Sequence, residues 1–168
     1  IVFQGDFLMK KKLFFIVLLC YLLLFENIVY AKNKISISAD QAILMEAKTG
    51  RVIYEKNPHE KRPIASITKV MTALIAIEYG KLSDVVTISK EATRAIGSSI
   101  YLQEGEKMTL EDLLYGLMLR SGNDAAIAIA EHIGGSEEGF VFLMNQKAMY
   151  LGMTNSNFVN PHGLDDDN

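Results

Sequence analysis

The sequence feature that most constrains the fold is SITKVMTALIAIEYG, residues 66 to 80. Apolar residues occupy positions 70, 71 and 73 to 77, so a helix over this segment has almost no polar face. A helix that is apolar nearly all round is normally buried within a domain. We therefore predict a buried central helix that begins near Ser66 and ends at Gly80, a natural C-cap residue.

The composition is typical of a single globular domain. The 168 residues are 49% hydrophobic and 22% charged, which does not fit a disordered or fibrous chain. The formal net charge is −3, and basic residues form no run longer than Lys10 to Lys12. Because proteins that bind nucleic acid cluster Lys and Arg on one face, we expect no nucleic-acid partner.

Residues 1 to 31 are predicted to be a leader and signal peptide, outside the folded domain. After Met9, three lysines precede an apolar run from Leu13 to Phe25, and Ala31 is the small residue before the expected cleavage point. The run is shorter than the roughly 20 residues that cross a bilayer as a helix, although a retained anchor is the alternative. We expect an exported protein, in the cell envelope or secreted, that contacts the membrane only through this segment if it is uncleaved.

No metal or cofactor site is predicted. The single cysteine, Cys20, lies in the leader, so residues 32 to 168 contain no thiol. The histidines His59, His132 and His162 are far apart and none belongs to an i, i+4 pair.

The remaining pattern predicts an N-terminal hairpin followed by a helical cluster. Between Ile35 and Tyr54, two short strands flank a turn over Ala47 to Gly50, and Asp84 to Ser89 reads as another short strand. Residues 97 to 105 are predicted to be irregular. Three helices follow: one capped by Thr109 with Asp112 at the capping-box position, one from Asn123 to Gly134, and one from Ser136 to Gly152.

The predicted strands do not suffice to cover a wholly apolar helix. We therefore expect a mixed α/β (α+β) fold in which the remainder of the antiparallel sheet is missing from this chain.

Ser66 and Lys69 form an S-x-x-K pair at the start of the central helix. Residues three apart lie on one face of a helix, so the Lys69 amine can reach the Ser66 hydroxyl. Apolar surroundings lower a lysine pKa and make a neutral amine available as a general base. The helix N-terminus adds N–H donors that favour an oxyanion. The alternative interpretation is an N-cap serine beside a snorkelling lysine.

Ser121, Gly122 and Asn123 occupy the break between two predicted helices. A hydroxyl there can relay a proton from the lysine to a leaving amine, and an amide can hold both the lysine and a substrate amide. Simple helix capping is the alternative.

Three segments, RPIASITKVMTALIAIE, LLYGLMLRSGNDAAIAIAEHIGGS and FVNPHGLDD, together resemble the low-molecular-mass penicillin-binding proteins, the serine-type D-alanyl-D-alanine carboxypeptidases. The likeness runs from about Ala42 to Asp167. It implies a β-lactamase/transpeptidase-like fold in which residues 32 to 168 are an incomplete peptidase S11-type domain.

The resemblance also implies a function for each motif. Ser66 would be the acyl-ester nucleophile, Lys69 its proton acceptor, and Ser121 with Asn123 the second motif, Asn123 on the substrate side. The substrate would be a peptidoglycan stem peptide ending in D-Ala-D-Ala, and β-lactam antibiotics such as penicillins would acylate the same serine.

The third motif of this family, Lys-Thr/Ser-Gly, follows the second in its members. Here Lys48-Thr49-Gly50 precedes the nucleophile and is predicted to be a hairpin turn. Two alternatives to an active carboxypeptidase therefore stay open: an inactive truncated fragment, and a class A β-lactamase relative. A β-lactamase would resemble Ser-Asp-Asn at the second motif and need a glutamate on a later loop, whereas this chain has Ser121-Gly122-Asn123 and no glutamate from Leu151 to Asn168.

Overall fold

The computed structural model describes residues 12–18 and 35–165. The predicted cleavage point at Ala31 and most of the predicted signal peptide lie outside these residues. The part of the predicted signal peptide that is described, residues 12–18, is helical. The chain forms two compact units, residues 1–42 and 43–168. In the described ranges, no helix has the length and apolar character needed to cross a membrane.

The N-terminal hairpin is confirmed. Strands β1 (Ala42–Met45) and β2 (Val52–Lys56) form a two-stranded sheet. At its tip, the Glu46 carboxylate accepts hydrogen bonds from the N–H of Lys48 at 3.0 Å and the N–H of Thr49 at 2.8 Å. Gly50 has φ +71°, which a glycine adopts without a steric penalty. The Lys48-Thr49-Gly50 triplet is thus held as a turn by its own neighbours.

A second small sheet joins two segments that are distant in the chain. Strand β3 (Val85–Thr87), which the sequence predicted, pairs antiparallel with β4 (Lys107–Thr109). Val86 lies opposite Met108. Strand β4 was not predicted, because three residues carry no readable alternation and only the long-range pairing defines them.

Within residues 35–165, the structure has four α-helices: α1 (Thr68–Tyr79), α2 (Leu110–Arg120), α3 (Asn123–Gly134) and α4 (Glu137–Tyr150). Short 3-10 turns cover Ala65–Ile67 and Ala92–Arg94. Together with the two sheets they confirm the predicted mixed α and β class.

Helix α3 is the most buried helix in this arrangement. It packs against α1, α2 and α4, and its alanines at positions 125, 126, 128 and 130 are at most 1% exposed. Small side chains let neighbouring helices approach closely, which suits a helix contacted from several sides.

Helix α1 was predicted to be buried on all sides, and this prediction was wrong for one face of the helix. Ile75 and Ala76 are fully buried against the other helices, whereas Val70 is 56% and Ile77 is 60% exposed. Periodicity reports how apolar a helix is, but burial depends on which elements cover it, and the described elements pack on one side only. Met118 on α2 is also apolar and 49% exposed.

The predicted helix caps are confirmed at the N-termini. The Thr109 side chain accepts from the N–H of Asp112 at 3.1 Å, and the Ser136 side chain accepts from the N–H of Gly139 at 3.0 Å. Gly80 follows α1 as expected, but its φ is −98° and not left-handed. A Cβ there would lie 2.4 Å from Leu110 Cδ2, so close packing is the reason for this glycine.

Candidate active site

The structure brings Ser66 and Lys69 together as their spacing predicted. Ser66 lies in the 3-10 turn immediately before α1, and Lys69 lies in the first turn of α1. Lys69 Nζ donates a hydrogen bond to Ser66 Oγ at 3.3 Å. The preceding Ala65 has φ +46°, a strained backbone conformation that often marks functional sites. Ser66 is exposed and therefore accessible to a substrate.

Lys69 has the environment that general-base chemistry requires. Only 3% of its surface is exposed. Burial disfavours the charged ammonium and lowers the pKa of Lys69 from its ordinary value. The effect increases the fraction of neutral amine at neutral pH, which is the form that can accept a proton from Ser66.

A turn over residues 160 to 164 closes one side of the pair. Lys69 Nζ donates to the His162 carbonyl at 2.8 Å, and Thr72 Oγ1 donates to the Pro161 carbonyl at 2.6 Å. Gly163 has φ +82°, and a Cβ there would lie only 1.9 Å from the Ala65 carbonyl oxygen. The turn therefore lies directly against both the lysine and the strained residue before the serine.

The imidazole of His162 belongs to the same corner. Its burial, and the nearby charge of Lys69, lower the pKa of His162 to about 4. The Leu164 N–H donates to His162 Nδ1 at 3.2 Å, so the neutral ring carries its proton on Nε2. Nε2 lies 3.8 Å from Glu137 Oε1, at the start of α4.

Ser121 ends α2 with φ +56°, which turns the chain sharply before α3. Its Oγ is buried and has no hydrogen-bond partner among the described residues. An unpartnered buried hydroxyl is uncommon in folded proteins. The hydroxyl does not bond to Lys69 in this structure, so the proton relay through Ser121 stays a prediction.

Asn123 begins α3 and holds the segment before it. Its Nδ2 donates to the Ile96 carbonyl at 2.6 Å, and its N–H donates to the Ser98 carbonyl at 2.7 Å. Asn123 is 3% exposed. These bonds place the side chain against residues 96 to 98, and its role toward a substrate stays a prediction.

Asp124 was missed by the sequence reasoning. Its carboxylate is 2% exposed. It accepts hydrogen bonds from Ser99 Oγ at 2.6 Å and from the N–H groups of Ile100 and Leu102, each at 3.1 Å. Burial raises the pKa of Asp124, but these hydrogen bonds and one from the Ala125 N–H outweigh it and hold the pKa below the usual value. No local pattern separates this aspartate from a helix cap.

Ser66 does not line either of the following cavities. An open cleft of about 620 Å³ runs between β3, α3 and the start of α4, and Ser66 does not line it. A smaller pocket of about 200 Å³ lies behind the site, where residues 62 to 65 face the segment from Asn157 to Asp165. In residues 12–18 and 35–165, no three potential metal ligands lie together.

Comparison with known proteins connects this geometry with one family. Residues 28–168 match the family model described as D-alanyl-D-alanine carboxypeptidase, Peptidase_S11. The chain is 42% identical to the D-alanyl-D-alanine carboxypeptidase DacF of Bacillus subtilis, over 93% of this chain and 43% of the relative.

Solved structures agree with the fold. The D-alanyl-D-alanine carboxypeptidase DacD of Francisella tularensis superposes with a TM-score of 0.78 at 36% identity, over 85% of this chain and 36% of that chain. Penicillin binding protein 6B of Escherichia coli gives a TM-score of 0.75 at 34% identity, over 83% and 48% of the two chains. The chain thus spans less than half the length of these three relatives.

Proposed function

This chain belongs to the D-alanyl-D-alanine carboxypeptidase family, Peptidase S11, and we propose that the protein removes the terminal D-Ala from peptidoglycan stem peptides. The observation that carries the proposal is the contact between an exposed serine and a buried lysine: Ser66 Oγ and Lys69 Nζ are 3.3 Å apart. The names of the matched relatives support the substrate class.

The proposed reaction begins with proton transfer from the Ser66 hydroxyl to the neutral Lys69 amine. Ser66 Oγ forms a bond to the carbonyl carbon of the penultimate D-Ala, and the amide bond to the terminal D-Ala breaks. The proton held by Lys69 passes to the leaving amine through the Ser121 hydroxyl. Water then hydrolyses the Ser66 ester and restores the enzyme.

Asn123 is proposed to contact the substrate amide from the start of α3. Ser121 follows the last residue of α2 and Asn123 is the first residue of α3, so the backbone of the two helices fixes the positions of both residues. A β-lactam, whose ring amide resembles the scissile bond, would acylate Ser66 by the same steps. We also propose that residues 1–31 are a leader and signal peptide, that residues 32–168 form the catalytic domain's N-terminal part, and that the protein acts outside the cytoplasm.

An inactive fragment is the second candidate. The exposed apolar face of α1, with Val70 at 56% and Ile77 at 60%, favours it, because a catalytic helix needs packing on both sides to hold its site rigid. We infer for both candidates that the triplet Lys48-Thr49-Gly50 is not the third motif, and its place in the hairpin turn supports this.

A labelling experiment with a fluorescent penicillin tests the proposal on residues 32–168. We expect covalent labelling of the wild type and none of Ser66→Ala, because only the serine hydroxyl can form the acyl ester. Lys48→Ala is the matched control, since it removes the lysine of the other motif-like triplet and should label as the wild type does. Release of D-Ala from a synthetic stem peptide would then identify the carboxypeptidase reaction.

Two results would contradict the proposal. Equal labelling of Ser66→Ala and wild type would place the acylated residue elsewhere. A folded wild-type chain that takes up no label would favour the inactive fragment.

A further inference from the structure

The turn over residues 160 to 164 contributes no predicted catalytic side chain, yet its His162 carbonyl accepts a hydrogen bond from the Lys69 amine. What determines the shape of this turn is the side chain of Asn160, which is 6% exposed. Its Oδ1 accepts from the Gly163 N–H at 2.6 Å and the His162 N–H at 3.3 Å. Its Nδ2 donates to the Leu164 carbonyl at 2.8 Å.

Three of the four residues after Asn160 are thus bonded to one amide group. With both His162 and Gly163 N–H groups directed at Asn160, the His162 carbonyl points the other way, toward Lys69 Nζ at 2.8 Å. The same bonds maintain the left-handed conformation of Gly163, which lies against the Ala65 carbonyl.

We propose that Asn160 is a positioning residue for the Ser66–Lys69 pair, acting through the His162 carbonyl. This inference rests on the proposed function. A neutral lysine amine has two N–H groups and one lone pair. When the His162 carbonyl accepts one N–H, the flexible lysine chain is fixed and its lone pair can face Ser66 Oγ. The turn also covers the amine and keeps water from it.

His162 faces Lys69 from the turn itself, and Glu137 faces His162 from α4 at 3.8 Å. His162, with a pKa of about 4, is neutral in any assay near neutral pH. The group whose titration limits acylation near and above neutral pH is therefore Lys69.

The test is the rate of acylation by a fluorescent penicillin, measured by stopped flow in the full-length protein between pH 6 and pH 10. For Asn160→Ala we expect a fall of about 10- to 100-fold at pH 7, since misplaced reacting groups cost about this much. The apparent pKa of acylation should move upward, because the loosened turn admits water to Lys69. The rate should therefore recover partly at high pH.

Asn145→Ala is the matched control. The Asn145 amide makes a similar pair of bonds to the same segment, accepting from the Phe158 N–H at 2.9 Å and donating to the Phe158 carbonyl at 2.7 Å. Loss of these bonds should lower stability but leave the pH profile of acylation unchanged, because Lys69 Nζ bonds to Ser66 Oγ and the His162 carbonyl, and neither bond involves Phe158. If Asn160→Ala fails to fold, Asn160→Ser is the second test of the positioning role. The serine hydroxyl can accept from the Gly163 N–H but cannot reach the Leu164 carbonyl. We therefore expect a smaller upward shift in the apparent pKa of acylation.

Each outcome is distinguishable. Absence of wild-type labelling contradicts the proposed function, whatever Asn160 does. Two results would overturn the positioning role when the wild type labels normally. The first is an unshifted pH profile of acylation in the folded Asn160 variants. The second is the same shift of the profile in Asn145→Ala.

Discussion

At the residue scale, the site contains two buried ionisable groups, Lys69 and Asp124, which differ in their hydrogen-bond partners. Lys69 is buried with a carbonyl acceptor, so its pKa is lowered by burial. Asp124 is buried with several N–H and O–H donors, so hydrogen bonds keep its charged form. Both pKa values are therefore lowered at a similar degree of burial, but burial favours the neutral lysine whereas hydrogen bonds favour the charged aspartate, because the two groups differ in what bonds to them.

His162 makes a pH dependence of stability predictable. Its pKa is about 4 in the folded chain, against an ordinary value of 6.5. Between these values the unfolded chain binds a proton that the folded chain does not, so stability falls as pH decreases from about 6.5 to about 4. Above 6.5 both forms are neutral and His162 adds no pH dependence.

Urea unfolding of wild type and His162→Gln at several pH values measures this effect. We expect the wild type to lose more free energy of unfolding than His162→Gln on acidification from pH 6.5 to pH 4.5. His59→Gln, at an exposed position, should follow the wild type. If the free energy of unfolding depended on pH in the same way for wild type and His162→Gln, the imidazole would not be buried from solvent and the prediction would be wrong.

At the element scale, helix α3 organises the site. Its first two residues hold the preceding loop through Asn123 and Asp124, and its alanine-rich body packs against α1, which carries Lys69. Helix α4 adds Asn145, which fixes Phe158 just before the 160–164 turn. Helix packing thus determines where the two loops meet α1.

Asp124→Asn should weaken the contact between α3 and the loop of residues 99 to 102. The new amide keeps one acceptor oxygen, which the Ile100 N–H can still use, but it presents a donor to the Leu102 N–H and leaves that buried group unsatisfied. We expect a loss of about 1 to 3 kcal/mol in the free energy of unfolding, measured by urea denaturation.

The control for this prediction is Asp112→Asn, an exposed aspartate in the first turn of α2 that accepts from Thr109 Oγ1. It should cost well under half as much, because water can satisfy the altered group. Equal losses in the two variants would show that burial of the Asp124 carboxylate contributes nothing.

At the scale of the whole molecule, apolar side chains are exposed on the open face of α1 and on the hairpin. Val70 and Ile77 are exposed on the helix, and Ile43, Leu44 and Ile53 are 53 to 57% exposed on the strands. A monomeric protein rarely exposes so much apolar surface without an interaction partner or a tendency to aggregate. The carboxypeptidases of Bacillus subtilis and Francisella tularensis are each more than twice as long as the part that this chain matches.

We expect residues 32–168, expressed alone, to bind an apolar fluorescent dye such as ANS and to self-associate at micromolar concentration. Dynamic light scattering and dye fluorescence measure both properties. Ile77→Lys should reduce both, because it places a charge on the open face of α1. Met149→Lys, at a 74% exposed position on α4, is the control and should change them less. A monodisperse wild-type chain without dye binding would contradict the prediction.

The sequence by itself determined the local features of this protein. The S-x-x-K spacing placed Lys69 beside Ser66, the caps at Thr109 and Ser136 set two helix starts, and glycine at position 50 made the Lys-Thr-Gly triplet a turn. Each depends on residues within a few positions of one another, where spacing and backbone preference decide the outcome.

Only the tertiary structure decided how the site is closed and which apolar face is covered. The His162 carbonyl reaches Lys69 across 93 positions of the chain, and β4 exists only through its pairing with β3. The burial of one face of α1 likewise depends on the packing of α3 and α4. No local pattern encodes these contacts, because they form only when distant segments fold onto a shared core.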